Sequence, residues 1–419
     1  MLDRRSFLAA ALVPAAVPDV LASLAGRTGS PQDVAADESY WFKVQQAFTV
    51  DRSIVNLNSG GVSPSPAVAL EAMKRHLDYS NTAPAHAMWR VLEPQREGVR
   101  ARLARAFAAD IEEVAITRNA SEGLQICQFG IDLKAGDEVL ATNQDYPRML
   151  NTFKQRERRE GIVLRTFPIP VPCEDAAEIV KRYEQNITAK TKLILTCHVI
   201  NLTGLILPVK EIVALGRSKG VPVIVDGAHA FAHFPFAHRD LDCDYYASSL
   251  HKWLFAPVGT GLLYVRKAKI PSLWPLMASA KEQDADIRKF EEIGTHPAAN
   301  ALAIAEALTF HDGIGPERKA ARLRLLRDRW ADRLSRHDRV KLLTCRKPGL
   351  ACGITTFAIE GVEAGKLVEF LWDKKRIIAT PIGHDDVKGV RVSPSVWTTL
   401  EEIDRFCEAV EDVLKDGIK

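Results

Sequence analysis

Two short segments carry an acid and an amine that can work together. Asp226, in Asp226-Gly227-Ala228-His229, closes an apolar run that reads as a strand, and Lys252 closes Ser248-Ser249-Leu250-His251-Lys252 after a second one. Each lies just past a strand end, and they are 26 positions apart. A lysine and a carboxylate so placed suit a pyridoxal phosphate site: the lysine holds the cofactor as an imine, and the carboxylate keeps the pyridine nitrogen protonated, which makes the ring an electron sink. Taken singly, each residue has a plainer reading, Asp226 as a helix cap or turn former and Lys252 as a solvated surface charge. The flanks favour the pair, because Ser249 and His251 precede Lys252 and Pro257-Val258-Gly259-Thr260-Gly261 reads as a turn into a strand over 262–265.

Elements must bring the two strand ends together. The pattern predicts helices over 66–79 and 94–108, a strand over 113–117, and then alternation: helix 119–133, strand 138–142, helix 148–160, strand 163–167, helix 176–184, strand 193–196, helix 209–218. Such alternation implies a mostly parallel sheet covered by helices on both faces, with ligands at the carboxyl ends of the strands. From residue 298 onward longer helices (298–311, 316–335) lead into strands near 353–359, 376–379 and 389–392 and helices over 364–372 and 400–414, a smaller α+β region. A phosphate needs amide and hydroxyl donors at a helix start, and Arg118-Asn119-Ala120-Ser121-Glu122-Gly123 offers them; an ordinary N-cap by Asn119 or Ser121 explains the segment equally well.

The Val-Asp-Gly-Ala-His and His-Lys-Trp segments resemble the class V branch of the fold-type-I pyridoxal phosphate enzymes, and within it the isopenicillin N epimerase-like proteins. The likeness runs from about Val55 to the last helix. It implies the fold-type-I α/β architecture, with a segment 39–64 lining the cleft, a large cofactor-binding domain over 65–290 and a small C-terminal α+β domain over 291–419. It further implies that pyridoxal 5'-phosphate is held through Ala120, Ser121, Ser249 and His251, with Tyr146 stacked on the ring and His229 and Asn201 near its phenolic oxygen. Asp226 and Lys252 take the roles given above. By the same resemblance Arg391, in Gly389-Val390-Arg391-Val392-Ser393, grips a substrate carboxylate as a bidentate pair, with Asn58, Ser59, Gly60 and Asn201 beside the substrate. A buried structural tyrosine and a surface arginine are the plain alternatives for Tyr146 and Arg391. Glu291-Glu292-Ile293-Gly294-Thr295 resembles the segment whose threonine reaches the cofactor phosphate of the neighbouring subunit, which implies a homodimer with shared sites.

Lys252 freed from the cofactor is the expected proton carrier at the substrate α-carbon, with Asp226, Tyr146 and His229 as its catalytic neighbours. Epimerisation, transamination and elimination share these steps. Cysteine desulfurases of this class carry a nucleophilic cysteine on the loop before the carboxylate-binding arginine; here that loop reads Thr380-Pro381-Ile382-Gly383-His384-Asp385-Asp386-Val387-Lys388, and Cys352 lies well upstream. The leading expectation is an exported enzyme acting at the α-carbon of an amino acid or of an aminoacyl group in a small peptide. The alternatives are a carbon-sulfur lyase or aminotransferase and, in another class, a cofactor-binding scaffold or sensor without catalysis.

Composition narrows the partners. A chain of 419 residues with 47% hydrophobic and 26% charged residues and a net charge of +3 is an ordinary globular protein, not a polyanion binder. The basic helix over 318–339 interleaves acidic and apolar residues, as a solvated face does, so no nucleic-acid partner is expected. Seven cysteines without regular spacing predict neither a metal site nor an essential disulfide. Asp3-Arg4-Arg5-Ser6-Phe7-Leu8 followed by an alanine-rich apolar run to Ala25 resembles a twin-arginine export signal over 1–25, followed by a linker over 26–38. Pro14, Pro18 and Asp19 argue against a stable membrane anchor, so the expected destination is the periplasm or the exterior.

Overall fold

The computed structural model describes residues 26–418, so the export signal expected over 1–25 lies outside the described residues. β1 (Val55–Asn56) opens the strands and is set apart from the main sheet. Seven strands build that sheet: β2 (Val114–Thr117), β3 (Glu138–Thr142), β4 (Val163–Phe167), β5 (Thr191–Cys197), β6 (Val223–Asp226), β7 (Tyr245–Ser249) and β8 (Gly261–Val265). Their spatial order is β2-β8-β7-β6-β5-β3-β4. β7, β6, β5, β3 and β4 run parallel, and β8 is antiparallel to both its neighbours.

Every residue of β6 is buried, as a central parallel strand requires. Its side chains alternate between the two faces: Val223 and Val225 join one core cluster and Ile224 the other. Tyr246 and Leu262 follow the first pattern, and Tyr245, Ala247 and Leu263 the second. Parallel register sets Cys197 beside Asp226 and Asp226 beside Ala247. The carboxyl ends of β5, β6 and β7 are therefore neighbours, and this adjacency brings Asp226 to Lys252 across the intervening chain.

The C-terminal sheet contains β9 (Val340–Leu342) and β10 (Thr355–Ile359), with β12 (Thr380–Gly383) and β13 (Lys388–Val392), in the order β12-β13-β10-β9, all antiparallel. Trp330, Phe357 and Phe406 meet in its core, where the helices Pro316–Leu334 and Leu400–Asp416 contribute the first and last of these rings. β1 pairs in parallel with β11 (Ile377–Ile378). This pairing stitches the segment after residue 54 to the C-terminal region and delivers Asn58, Ser59 and Gly60 to the strand that carries Arg391.

Several local expectations change. The stretch 26–38 read as linker contains the helix Pro31–Ala36, with Ser30 as N-cap and proline in its first turn; Val34 and Ala35 are buried and Arg322 donates to the Ala35 carbonyl at 3.0 Å. Cap and first-turn proline are a helix start, which composition alone counts as linker. The helix expected over 298–311 divides at Ala303 into Ala299–Leu302 and Ile304–Ile314. The loop expected over 380–388 is largely β12 and the turn into β13, and β9 has too few residues for its pattern to show.

Candidate active site

The cavity at the β5–β7 carboxyl ends has a volume of about 300 Å³. Of the residues expected there, Ala120, Ser121, Tyr146, Asn201, Asp226, His229, Ser249, His251, Lys252, Arg391 and Gly60 line it. Asn58 stands one layer back, against Arg391, and Ser59 is fully buried behind the wall. Thr295 is exposed elsewhere, on a surface it shares with Trp89 and Gly294. Glu291 of the same segment is a buried anchor, paired with Arg96 at 2.9 Å and with Arg100, and accepting the Ile116 N–H at 2.6 Å.

At one end of the cavity the helix Ala120–Gly130 begins, capped by Asn119 through a 2.9 Å bond from the Glu122 N–H. The Ala120 amide donates to Ser249 Oγ at 3.0 Å. That bond occupies the Ala120 amide and leaves the Ser249 hydroxyl proton for an acceptor in the cavity, beside Ser121. Asn119 therefore caps the helix, and the first turn of the helix faces the cavity, where helix-start amides favour an anion.

Asp226 ends β6 and is 4% exposed. Its carboxylate accepts the Ala228 N–H at 3.0 Å, and burial pushes its pKa up, against the pull of that bond and of Lys252. Gly227 follows because the Tyr246 ring occupies the space of any Cβ, at 2.1 Å. Lys252 Nζ lies 3.1 Å from His229 Nε2. Burial lowers the Lys252 amine to about 8, with Asp226 opposing and Arg391 reinforcing the shift. An amine with a pKa near 8 is a nucleophile and a base near neutral pH. Uptake of cofactor aldehyde by the apoprotein should accordingly rise about tenfold per pH unit below the Lys252 pKa and flatten above it. Since that pKa is about 8, stopped-flow absorbance at pH 6 to 10 checks the plateau, and a rise continuing to pH 10 would contradict it.

Arg391 is 6% exposed and faces no carboxylate among the described residues. Its Nη1 donates to the Asn201 carbonyl at 3.0 Å and its Nη2 to Asn58 Oδ1 at 3.0 Å, while burial lowers its pKa to about 10. The guanidinium is held in place but keeps its charge unmatched. Three buried polar atoms of cavity-lining residues have no partner: Asn201 Oδ1, His251 Nδ1 and Arg391 Nε. Each unmet buried polar atom costs about 1–3 kcal/mol, so the cavity is built for a polar ligand. A hydroxyl-bearing helix start, a buried acid, a poised lysine and a half-buried tyrosine fit pyridoxal 5'-phosphate; Ser121, Ser249 and His251 would hold its phosphate, Asp226 its ring nitrogen and Lys252 its aldehyde carbon.

Sequence reasoning missed four residues. Cys197, Val199 and Arg148 line the cavity. Asp145 is buried behind it, accepting from Thr142 N at 2.7 Å and from Cys197 N at 2.7 Å, and burial raises its pKa to about 6. It ties the loop that presents Tyr146 to the end of β5. Cys197 and Val199 lie within four residues of Asn201, already expected in the site, and that proximity was the available signal.

The Aminotransferase class-V family matches residues 55–406. The chain is 29% identical over 388 residues to isopenicillin N epimerase of Streptomyces clavuligerus, covering 88% of this chain and 98% of that protein. It is 30% identical over 394 residues to isopenicillin N epimerase of Amycolatopsis lactamdurans, covering 90% and 99%. Among solved structures it is similar to the cystine C-S lyase C-DES in complex with its reaction product cysteine persulfide, with a TM-score of 0.77 and 26% identity over 86% of this chain and 97% of that one. By the extent of the family match and by a site that fits the cofactor, the chain belongs to the aminotransferase class-V family of pyridoxal 5'-phosphate-dependent enzymes.

Proposed function

We propose that this enzyme moves a proton at the α-carbon of an amino acid, or of an aminoacyl group in a small peptide, in the manner of an epimerase. The observation that carries the reading is the pairing, in one cavity, of the Lys252 amine with the buried Arg391 guanidinium that has no protein carboxylate. Arg391 would take the substrate carboxylate, and Lys252 would then hold or deliver the α-proton. Bound cofactor supplies the electron sink.

The stretch before Arg391 supports this over desulfuration. It holds no cysteine, and the turn between β12 and β13 closes with His384 and Val387 exchanging bonds at 3.0 and 3.2 Å. His384 Nε2 meets the Asn143 carbonyl at 2.9 Å, which docks the turn on the loop leading to Tyr146. Cys352 is fully buried, its thiol turned to the His233 carbonyl at 3.7 Å. The likeness to a cystine C-S lyase structure supports elimination as the second reading.

Arg148 is exposed at the cavity wall and has no ion pair among the described residues. A second guanidinium favours a substrate with a second anionic group. Arg148→Ala should raise KM for such substrates about tenfold, a charge-assisted bond discounted for exposure, with kcat little changed. Equal KM values for wild type and variant across mono- and dianionic substrates would remove this part of the reading.

Two further parts belong to the proposal. Thr295 and Trp89, exposed on one face, support a homodimer in which Thr295 reaches the partner's phosphate. Arg4-Arg5 and the apolar run behind them support export of the folded protein to the periplasm or exterior. No helix among the described residues is long and apolar enough to cross a membrane.

The deciding experiment incubates holoenzyme with single amino acids and short peptides in deuterium oxide. Inversion at the α-carbon with deuterium incorporated, and no release of ammonia, keto acid or sulfide, is the expected result. Stoichiometric release of any of the three would move the assignment to a lyase or aminotransferase.

A further inference from the structure

Trp253 follows Lys252 and is fully buried. Its ring stacks on His233 with centroids 3.7 Å apart and planes 2° from parallel, and its carbonyl accepts a hydrogen bond from the buried Lys319. His233 is held in turn: it meets the His229 carbonyl through Nδ1 at 2.7 Å, and its Nε2 accepts the Gly353 N–H at 2.9 Å. Trp253 is thus pinned from two sides, and its indole Nε1 comes to 3.4 Å from His229 Nδ1.

An indole nitrogen donates and never accepts. His229 Nδ1 is therefore the acceptor, and in a neutral ring the proton sits on Nε2. That Nε2 is the atom 3.1 Å from Lys252 Nζ. With Nε2 protonated, the contact is a hydrogen bond only when the amine offers its lone pair, which an ammonium lacks. We propose that Trp253 is a positioning residue that fixes the Nε2–H tautomer of His229 and thereby holds Lys252 as a proton-accepting amine.

The surroundings agree. Burial pushes His229 well below the ordinary imidazole range, and Lys252, Arg391, His233 and His251, the charged and titratable groups facing it, push the same way. Among the groups acting on Lys252, Asp226 and then Cys197 oppose the effect, and Arg391 reinforces it. Were the ring to turn to the Nδ1–H tautomer, Nε2 would accept and would favour the ammonium instead. The inference does not depend on which reaction at the α-carbon the enzyme performs.

Two substrate-free readouts test it. Histidine-selective 15N labelling, with His229→Gln for assignment, reports which nitrogen of His229 carries the proton in apo and reconstituted protein. The wild type should show Nε2–H, and an Nδ1–H ring would overturn the proposal. Trp253→Phe keeps a stacking ring and removes the N–H. In the apoprotein of this variant the pH midpoint for arylation of the Lys252 peptide by trinitrobenzenesulfonate, read by mass spectrometry, should rise by about one unit, a tenfold shift in the protonation equilibrium. An unshifted midpoint in a folded variant would also overturn it. Should Trp253→Phe fail to fold, the wild-type tautomer still decides.

Discussion

Lys252→Ala is expected to lower turnover at least about 10⁴-fold, the upper end of what a single positioned acid–base group contributes. The size follows from the two roles proposed for one atom: Nζ as the nucleophile toward the cofactor and as the base at the α-carbon. No other lysine among the residues lining the cavity stands ready to replace it. Lys319 is buried too, but its amine donates to the Trp253 carbonyl and lies 3.8 Å over the Phe255 ring, on the far side of Trp253. Folding should survive, because the truncation removes a buried amine whose charged form is already disfavoured by burial. Far-ultraviolet circular dichroism and turnover measured on the same sample separate the two. A variant retaining a tenth of wild-type turnover would show that Lys252 is not the group that does the work.

Asp226→Asn should cost kcat roughly 10²–10⁴-fold, the equivalent of the 3–5 kcal/mol lost when one member of a buried charge pair is removed. The substitution keeps the side chain's size and its bond with the Ala228 N–H, but loses the charge that would hold a ring nitrogen protonated. Linkage sharpens this test. Burial raises the Asp226 pKa in the folded protein, so its stabilising contribution is present at low pH and is lost as pH rises through the folded-state value. Burial thus disfavours the charged form of Asp226 in the folded apoprotein, and apo Asp226→Asn should melt no lower than the wild type. Pyridoxal phosphate, by contrast, should raise the Tm of the wild type more than that of the variant. An apo variant that melts lower, with an equal cofactor gain, would mark Asp226 as a structural residue only.

The strand ends at Asp226 and Lys252 were readable because central parallel strands are buried on both faces and leave long apolar runs. Register along those strands then places the two residues together without further information. Contacts between remote segments left no such trace. Asn58 holds Arg391 across 333 positions, and nothing in Asn56-Leu57-Asn58 announces that partner. Short elements were hidden for a related reason: β9 has three residues, too few to show a period, and β12 lies in a stretch whose Pro381 and Gly383 read as loop. Asp145 has no sequence neighbour that marks it, and only the approach of the β5 end shows it to be a buried acid joining two strands. The acid, the lysine and the arginine were visible as chemistry; the residues that orient them are a property of the packed molecule.

The central claim is that Lys252 carries the cofactor. Reconstitution with pyridoxal 5'-phosphate, reduction with borohydride and peptide mapping by mass spectrometry test it directly. The account predicts one pyridoxyl phosphate adduct per chain, on the peptide containing Lys252, with none in Lys252→Ala. An adduct on another lysine, or no adduct on a folded wild-type protein saturated with cofactor, would contradict it.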